Sequence, residues 1–164
     1  MTRQVTVRPV ERRDLEVVVE LVHELAAYER EPQSCHLTTA DLGRALFADR
    51  PAVFGQVAEL DGAVVGTALW FLNFSTWEGV HGLYLEDLFV RPEARGTGAG
   101  RALLAALARV CVERGYARMD WSVLRWNTPS IDFYEALGAV PQDEWVGYRL
   151  EADAISRLAA ASAS

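Results

Sequence analysis

Leu85 to Leu104 reads LEDLFVRPEARGTGAGRALL. An apolar strand ends in Val90-Arg91-Pro92, a glycine-rich turn follows, and a helix takes over from Gly98. The core of the turn is Arg95-Gly96-Thr97-Gly98-Ala99-Gly100. Its three glycines let the backbone curl tightly, with several N–H groups pointing inward. The helix that follows adds the positive end of its dipole and its free first-turn N–H groups. Arg95 and Arg101 flank the turn with fixed positive charge. Together these features predict a cradle for a pyrophosphate. A P-loop would end in Gly-Lys-Ser/Thr, and no Lys stands there. A dinucleotide-binding loop follows an early strand that opens a βαβ unit, whereas this loop lies past mid-chain. The plain alternative is an ordinary Gly-rich turn before a surface helix.

Upstream of the loop, Val5 to Val10 reads as a first strand and Glu11 to Tyr28 as a helix. Leu15, Val18, Val19, Val22 and Leu25 repeat there at helical spacing. Pro32 ends that segment, and Thr38 to about Phe47 forms a shorter helix. Val53 to Leu60 and Ala63 to Phe74 read as a hairpin across Asp61-Gly62, a strong turn pair. Val80 to Val90 leads into the glycine loop. Gly98 to Arg114 is a helix with Leu103, Leu104, Leu107 and Cys111 on one face. Arg118 to Val123 is a further strand. Thr128-Pro129 reads as an N-cap followed by Pro at the first helical position, and Gly138 closes that helix. Trp145 to Leu150 is expected as a late strand, Ala152 to Ala160 as a terminal helix, and the Ala/Ser tail is expected to fray. The order is β-α-α-β-β-β-loop-α-β-α-β. It predicts an α/β (α+β) fold, a mixed sheet with helices on both faces, in one domain over 1–164.

The 164 residues suffice for one domain with a sizeable core, and 51% hydrophobic with 24% charged residues is the balance of a globular enzyme. A net charge of −7 argues against nucleic acid as the main partner, which would need a basic stripe, and it suits a cationic substrate. Cys35 and Cys111 make no disulfide framework, and neither has a His–Asp pattern nearby. His23, His36 and His81 lack metal-ligand spacing, so no metal site is expected. No signal peptide and no apolar run of transmembrane length are read, and the expectation is a cytoplasmic protein without membrane partners.

The spacing Arg-x-x-Gly-x-Gly, after a strand ending in Val-Arg-Pro, resembles the acetyl-CoA loop of the GNAT superfamily of N-acetyltransferases. A second block agrees with it: Trp126-Asn127-Thr128-Pro129-Ser130-Ile131-Asp132-Phe133-Tyr134-Glu135-Ala136-Leu137-Gly138-Ala139. An Asn followed by a helix with Tyr seven residues on resembles the second half of the same site, and one helix and one strand separate the blocks. Tyr84-Leu85-Glu86-Asp87-Leu88-Phe89-Val90, Ala27-Tyr28-Glu29 and Trp77 narrow the resemblance to the diamine (spermidine/spermine) acetyltransferase branch. The resemblance implies a sheet splayed at the acetyl-CoA site and a homodimer. It implies acetyl-CoA contacts from Leu88, Phe89, Val90, Arg95, Gly96, Thr97, Gly98, Ala99, Gly100, Arg101, Asn127, Thr128, Pro129, Ser130 and Tyr134.

Amide formation needs a neutral amine, and lysine-like amines are mostly protonated at neutral pH. A base must remove a proton, directly or through water. Glu86 is the candidate base. Strand alternation puts it with Tyr84 and Leu88 on one face and Asp87 on the other, unless a bulge re-aims the side chains. Tyr134 is the candidate acid for the departing thiolate. By resemblance, backbone N–H groups of Leu88 to Val90 steady the developing oxyanion. A polyamine wants carboxylates at intervals between apolar walls. Tyr28, Glu29, Trp77, Glu86, Asp87, Asp120, Trp121, Asp143 and Glu144 could supply both, and the resemblance implies that Tyr28, Glu29, Glu86 and the Asp120-Trp121-Ser122 segment line the site. Leu124-Arg125 and the short segment Val140 to Trp145 depart from the diamine pattern. A sister group acting on thialysine and related amino acids shares the same motifs, and Arg125 or Arg149 would then meet a carboxylate; an antibiotic or other small amine is the further alternative among enzymes. The rival outside enzymes is a non-catalytic acyl-CoA-binding module, which would lack Glu86 and Tyr134.

Overall fold

The period-two segments pair into one sheet in the order β1-β2-β3-β4-β5: Val5–Pro9, Phe54–Leu60, Ala63–Ser75, Val80–Val90 and Met119–Asp120. β1 to β4 run antiparallel to their neighbours, while β5 lies parallel to β4. The computed structural model describes residues 3–161. It separates into two compact units, Met1–Leu124 and Arg125–Ser164.

In the first unit the β2–β3 hairpin turns through Asp61 at φ 52° and Gly62 at φ 84°. That left-handed pair is what a two-residue hairpin of this hand requires. Helix α1 spans Leu15–Tyr28, α2 Thr39–Leu46 and α3 Ala99–Arg114. The segment expected to be helical from Glu11 begins as a 3-10 turn over Arg12–Asp14. The reason is the Asp14 carboxylate, which accepts the Glu11 N–H at 2.8 Å and two Arg8 N–H groups at 2.6 and 3.0 Å. Thr38 caps α2 by accepting the Asp41 N–H at 3.1 Å.

Val18, Leu42, Val57 and Leu69 form one buried cluster with Val10, so α1 and α2 cover the sheet face that carries Val57 and Leu69. A Cβ on Gly66 would come within 3.4 Å of the Leu103 side chain and 2.9 Å of the Phe89 carbonyl. Gly66 thus lets α3 lie close on the face opposite Leu69, since residues three apart on a strand point to opposite sides. The expected mixed sheet with helices on both faces is what the chain forms.

The strand expected over Arg118 to Val123 pairs only at Met119–Asp120. In the second unit, α4 spans Thr128–Ala136 and α5 Ala152–Ala160. The cap of α4 is Asn127 rather than Thr128: the Asn127 Oδ1 accepts the Ser130 N–H at 3.4 Å, which puts Thr128 and Pro129 inside the first turn. No strand forms over 145–150. The alternation is there, but that unit offers no described strand to pair with, and Trp145, Val146 and Tyr148 stay exposed. The expected fraying of the Ala/Ser tail falls on residues 162–164, outside the described residues. No helix among the described residues is long and apolar enough to cross a membrane.

Candidate active site

β4 carries most of the expected site, and one extra residue decides its shape. Leu83 N–H donates to the Arg118 carbonyl at 3.0 Å, toward β5, whereas Arg91 N–H donates to the Val65 carbonyl at 2.9 Å, toward β3. In an unbroken strand, positions an even number apart face the same edge. The register explains the switch: Trp70 pairs with Leu85, Leu69 with Asp87, and Glu86 is left over as a bulge. Beyond the bulge, alternation turns the Phe89 N–H toward β3 and the Leu88 and Val90 N–H groups toward the other edge. Pairing with β5 has already ended at Tyr84 and Asp120. Of the three amides expected to meet an oxyanion, those of Leu88 and Val90 face an edge that β5 has left.

The bulge also gathers acid. Asp87 is half-buried, and its carboxyl is pushed up to about 6 by burial first, then by Glu86, then by Glu29. Burial raises Glu29 as well. Glu86 itself is exposed. The structure therefore brings Glu29 and Glu86 into electrostatic reach of Asp87. The sequence reading gave the proton-handling role to Glu86 alone. The neighbour at Asp87 is the carboxyl that its surroundings push up to about 6, and the adjacent acidic pair was the signal for it.

Not every expected lining residue joins this cluster. Trp77 lies in the β3–β4 turn and is 88% exposed. From Val80 to Glu86 is six steps along β4, about 20 Å at strand rise, so this indole does not wall the Glu86–Asp87 site of its own chain. Asp120 accepts from Asn73 Nδ2 and pairs with Arg118 Nε, each at 3.3 Å. Its charge is partly spent within the sheet. Ser122 Oγ meets the Tyr84 hydroxyl at 3.2 Å, and Trp121 is half-buried beside it in sequence.

The glycine loop has the expected form. Gly96 and Gly98 take φ of 78° and 89°, and a Cβ on either would meet nothing within 4 Å. The backbone conformation, not crowding, demands glycine, and the space beside it is open. Ala99 and Gly100 form the first turn of α3, with free N–H groups behind the loop. The Thr97 hydroxyl donates to the Ala94 carbonyl at 2.6 Å and pins the turn. Arg95 and Arg101 are both exposed. Open space, left-handed glycines, a helix N-terminus and two guanidiniums suit the pyrophosphate of an acyl-CoA. In the second unit Asn127 is buried as the α4 cap, and Tyr134 is half-buried two turns on, its ring 5.5 Å from that of Phe133.

A sheet edge abandoned beside a bulged strand, leading into an open glycine loop, suits a transferase that takes its acyl group from a thioester donor. The chain belongs to the acetyltransferase (GNAT) family, whose model matches residues 18–139. It is an N-acetyltransferase, and acetyl-CoA is the donor that its family uses. It is 33% identical to a thialysine N-epsilon-acetyltransferase of Bos taurus over 94% of this chain and 97% of that protein. It is 31% identical to a human spermidine/spermine N(1)-acetyltransferase-like protein over 88% of this chain but 22% of that protein. Among solved structures, an integron cassette protein from the V. cholerae mobile metagenome superposes with a TM-score of 0.79 at 27% identity, over 98% of this chain and 99% of that one.

Proposed function

We propose that this N-acetyltransferase acetylates a primary amine of a small diamine or polyamine. The observation that carries the reading is the cluster of Glu29, Glu86 and Asp87 around the β4 bulge. A second ammonium on the substrate would meet one carboxylate while another receives the proton of the reacting amine. Glu86 and Asp87 act together as the base, directly or through a water. Tyr134 supplies a proton to the departing thiolate. Leu88 and Val90 N–H groups steady the oxyanion, and the Arg95–Arg101 loop holds the pyrophosphate; by resemblance Asn127, Thr128, Pro129 and Ser130 also serve acetyl-CoA. The similarity to the human spermidine/spermine acetyltransferase-like protein supports this substrate class.

A second reading is favoured by the relatives that match nearly end to end, which are named for thialysine. In it the substrate is an amino acid with a side-chain amine, and Arg125 or Arg149 meets its carboxylate. A panel of monoamines, diamines and thialysine-like amino acids, with acetyl-CoA and thiol release as the readout, separates the two. Diamines exceed monoamines of equal length in kcat/KM if the first reading holds. A preference for the amine that also bears a carboxylate replaces it with the second. Equal rates on all three reject both. Residues 1–164 act as one catalytic domain in this reading, supported by a family match that runs from the first unit into the second. A homodimer and a cytoplasmic location complete it.

A further inference from the structure

Glu20, Glu24 and Tyr28 stand four residues apart on α1 and so share one face of the helix. Two arginines of the β4–α3 connection reach that stripe. Arg91 Nη2 lies 3.1 Å from Glu20 and Nε 3.2 Å from Glu24. Arg95 places its guanidinium 5.0 Å from the centre of the Tyr28 ring and 5.8 Å from that of Phe89, while its Nε donates to the Val90 carbonyl at 3.3 Å. The arginine at the mouth of the phosphate loop is therefore held by the residue that ends α1, next to Glu29.

We propose that Tyr28 is a positioning residue for coenzyme A: its ring holds the Arg95 guanidinium ready for the phosphates, and so links donor binding to the Tyr28–Glu29 end of α1. An exposed arginine loses much rotamer freedom when it grips an anion. Two rings and one carbonyl remove part of that freedom beforehand, and Nη1 and Nη2 remain for the ligand. Preorganisation of this kind adds affinity without adding a contact to the ligand. An exposed cation–ring stack is worth about two- to fivefold in its own equilibrium constant, which sets the upper limit of the affinity it can add by preorganisation. The proposal rests on the loop being the acyl-CoA cradle.

The test is calorimetric titration with coenzyme A itself, without amine, on the wild-type chain, Tyr28→Phe, Tyr28→Leu, Arg95→Gln and the double variant Arg95→Gln/Tyr28→Leu. Tyr28→Phe keeps the ring and retains wild-type affinity. Tyr28→Leu loses affinity, by up to about fivefold, and in the Arg95→Gln background the same change costs nothing further. In the folded wild-type chain the Tyr28 ring resonances shift on titration with coenzyme A. In Arg95→Gln at saturating coenzyme A they stay in place, a readout that requires no truncation of Tyr28. Unchanged affinity in Tyr28→Leu, an equal loss in Tyr28→Phe, additive losses in the double variant, or a silent Tyr28 ring in the wild type would each overturn the link alone. A wild-type chain that binds no coenzyme A would overturn the cradle as well.

Discussion

Asp87→Asn is the most discriminating change available in this protein. In the folded chain the Asp87 carboxyl is lifted from an ordinary 3.8 to about 6, by burial first, then by Glu86 and Glu29. The sign follows from linkage. Below the unfolded value both states hold the proton, and as pH rises through about 6 the folded carboxyl must ionise in half-buried surroundings beside other carboxylates. The folded state therefore loses stability across roughly pH 4 to 6. A lift of about 2 in pH corresponds to at most about 3 kcal/mol. Asp87→Asn should raise Tm at pH 8 relative to wild type, with little gain at pH 4. Activity should move the other way. The kcat/KM for the amine reports the free enzyme, so it rises through a limb near pH 6 in the wild type and loses that limb in Asp87→Asn. The limb in kcat lies lower, because the bound ammonium favours the ionised carboxylate. Glu86 is the second cause of the lift, after burial, so Glu86→Gln lowers the kcat/KM limb without abolishing the lift. Initial rates by thiol release over pH 4 to 9, with thermal melts at pH 4 and pH 8, measure all of this. A limb that survives in Asp87→Asn, or no stabilisation at pH 8, would refute the reasoning.

Gly98→Val forces a β-branched residue to φ 89° in open space; coenzyme A binding should weaken about tenfold or more by calorimetry with a modest loss of Tm. Gly100 lies within α3, and Gly100→Val should weaken binding through its Cβ beside the phosphates while Tm holds. Tyr134→Phe keeps the ring and removes the hydroxyl; kcat should fall at least about tenfold while the affinity for acetyl-CoA stays near wild type, and full turnover would make the residue structural. Asp14 is 4% exposed and its carboxyl is held below its ordinary value by Arg8. Its stabilisation is present above about pH 4 and lost as pH falls through its folded value. Urea melts should thus show Asp14→Asn weaker by about 1–3 kcal/mol at pH 7 and nearly equal to wild type at the lowest pH.

Much of the fold was legible because it is written locally. The Asp61-Gly62 turn, the apolar spacing in α1 and α3 and the loop from Arg95 to Gly100 each depend on residues within a few positions. What was not legible depends on partners. The alternation of 145–150 is that of a strand, but a strand also needs an edge, and no residue of that segment reports whether one is at hand. The cap of α4 moved by one residue because the Asn127 side chain accepts the Ser130 N–H, which puts Thr128 inside the helix. Trp77 matched a motif, yet a strand's length separates it from the acids it was expected to join.

The bulge at Glu86 is the clearest case. The sequence Leu85-Glu86-Asp87-Leu88 reads as plain alternation, and nothing in it marks the extra residue. Its existence is settled by β3, where Leu69 and Trp70 are adjacent while their partners Asp87 and Leu85 are not. That one inserted residue carries three consequences. It turns the Leu88 and Val90 amides to the edge that β5 has left. It leaves Glu86 outside the register next to Asp87, whose carboxyl resists ionising beside it. It brings Arg91 round to bond β3 through its backbone, which leaves its guanidinium free to reach Glu20 and Glu24. Donor amides, acidic cluster and the anchoring of the phosphate loop thus share one cause. A deletion that straightened β4 would be expected to undo all three together, where a point change at any one of them would not.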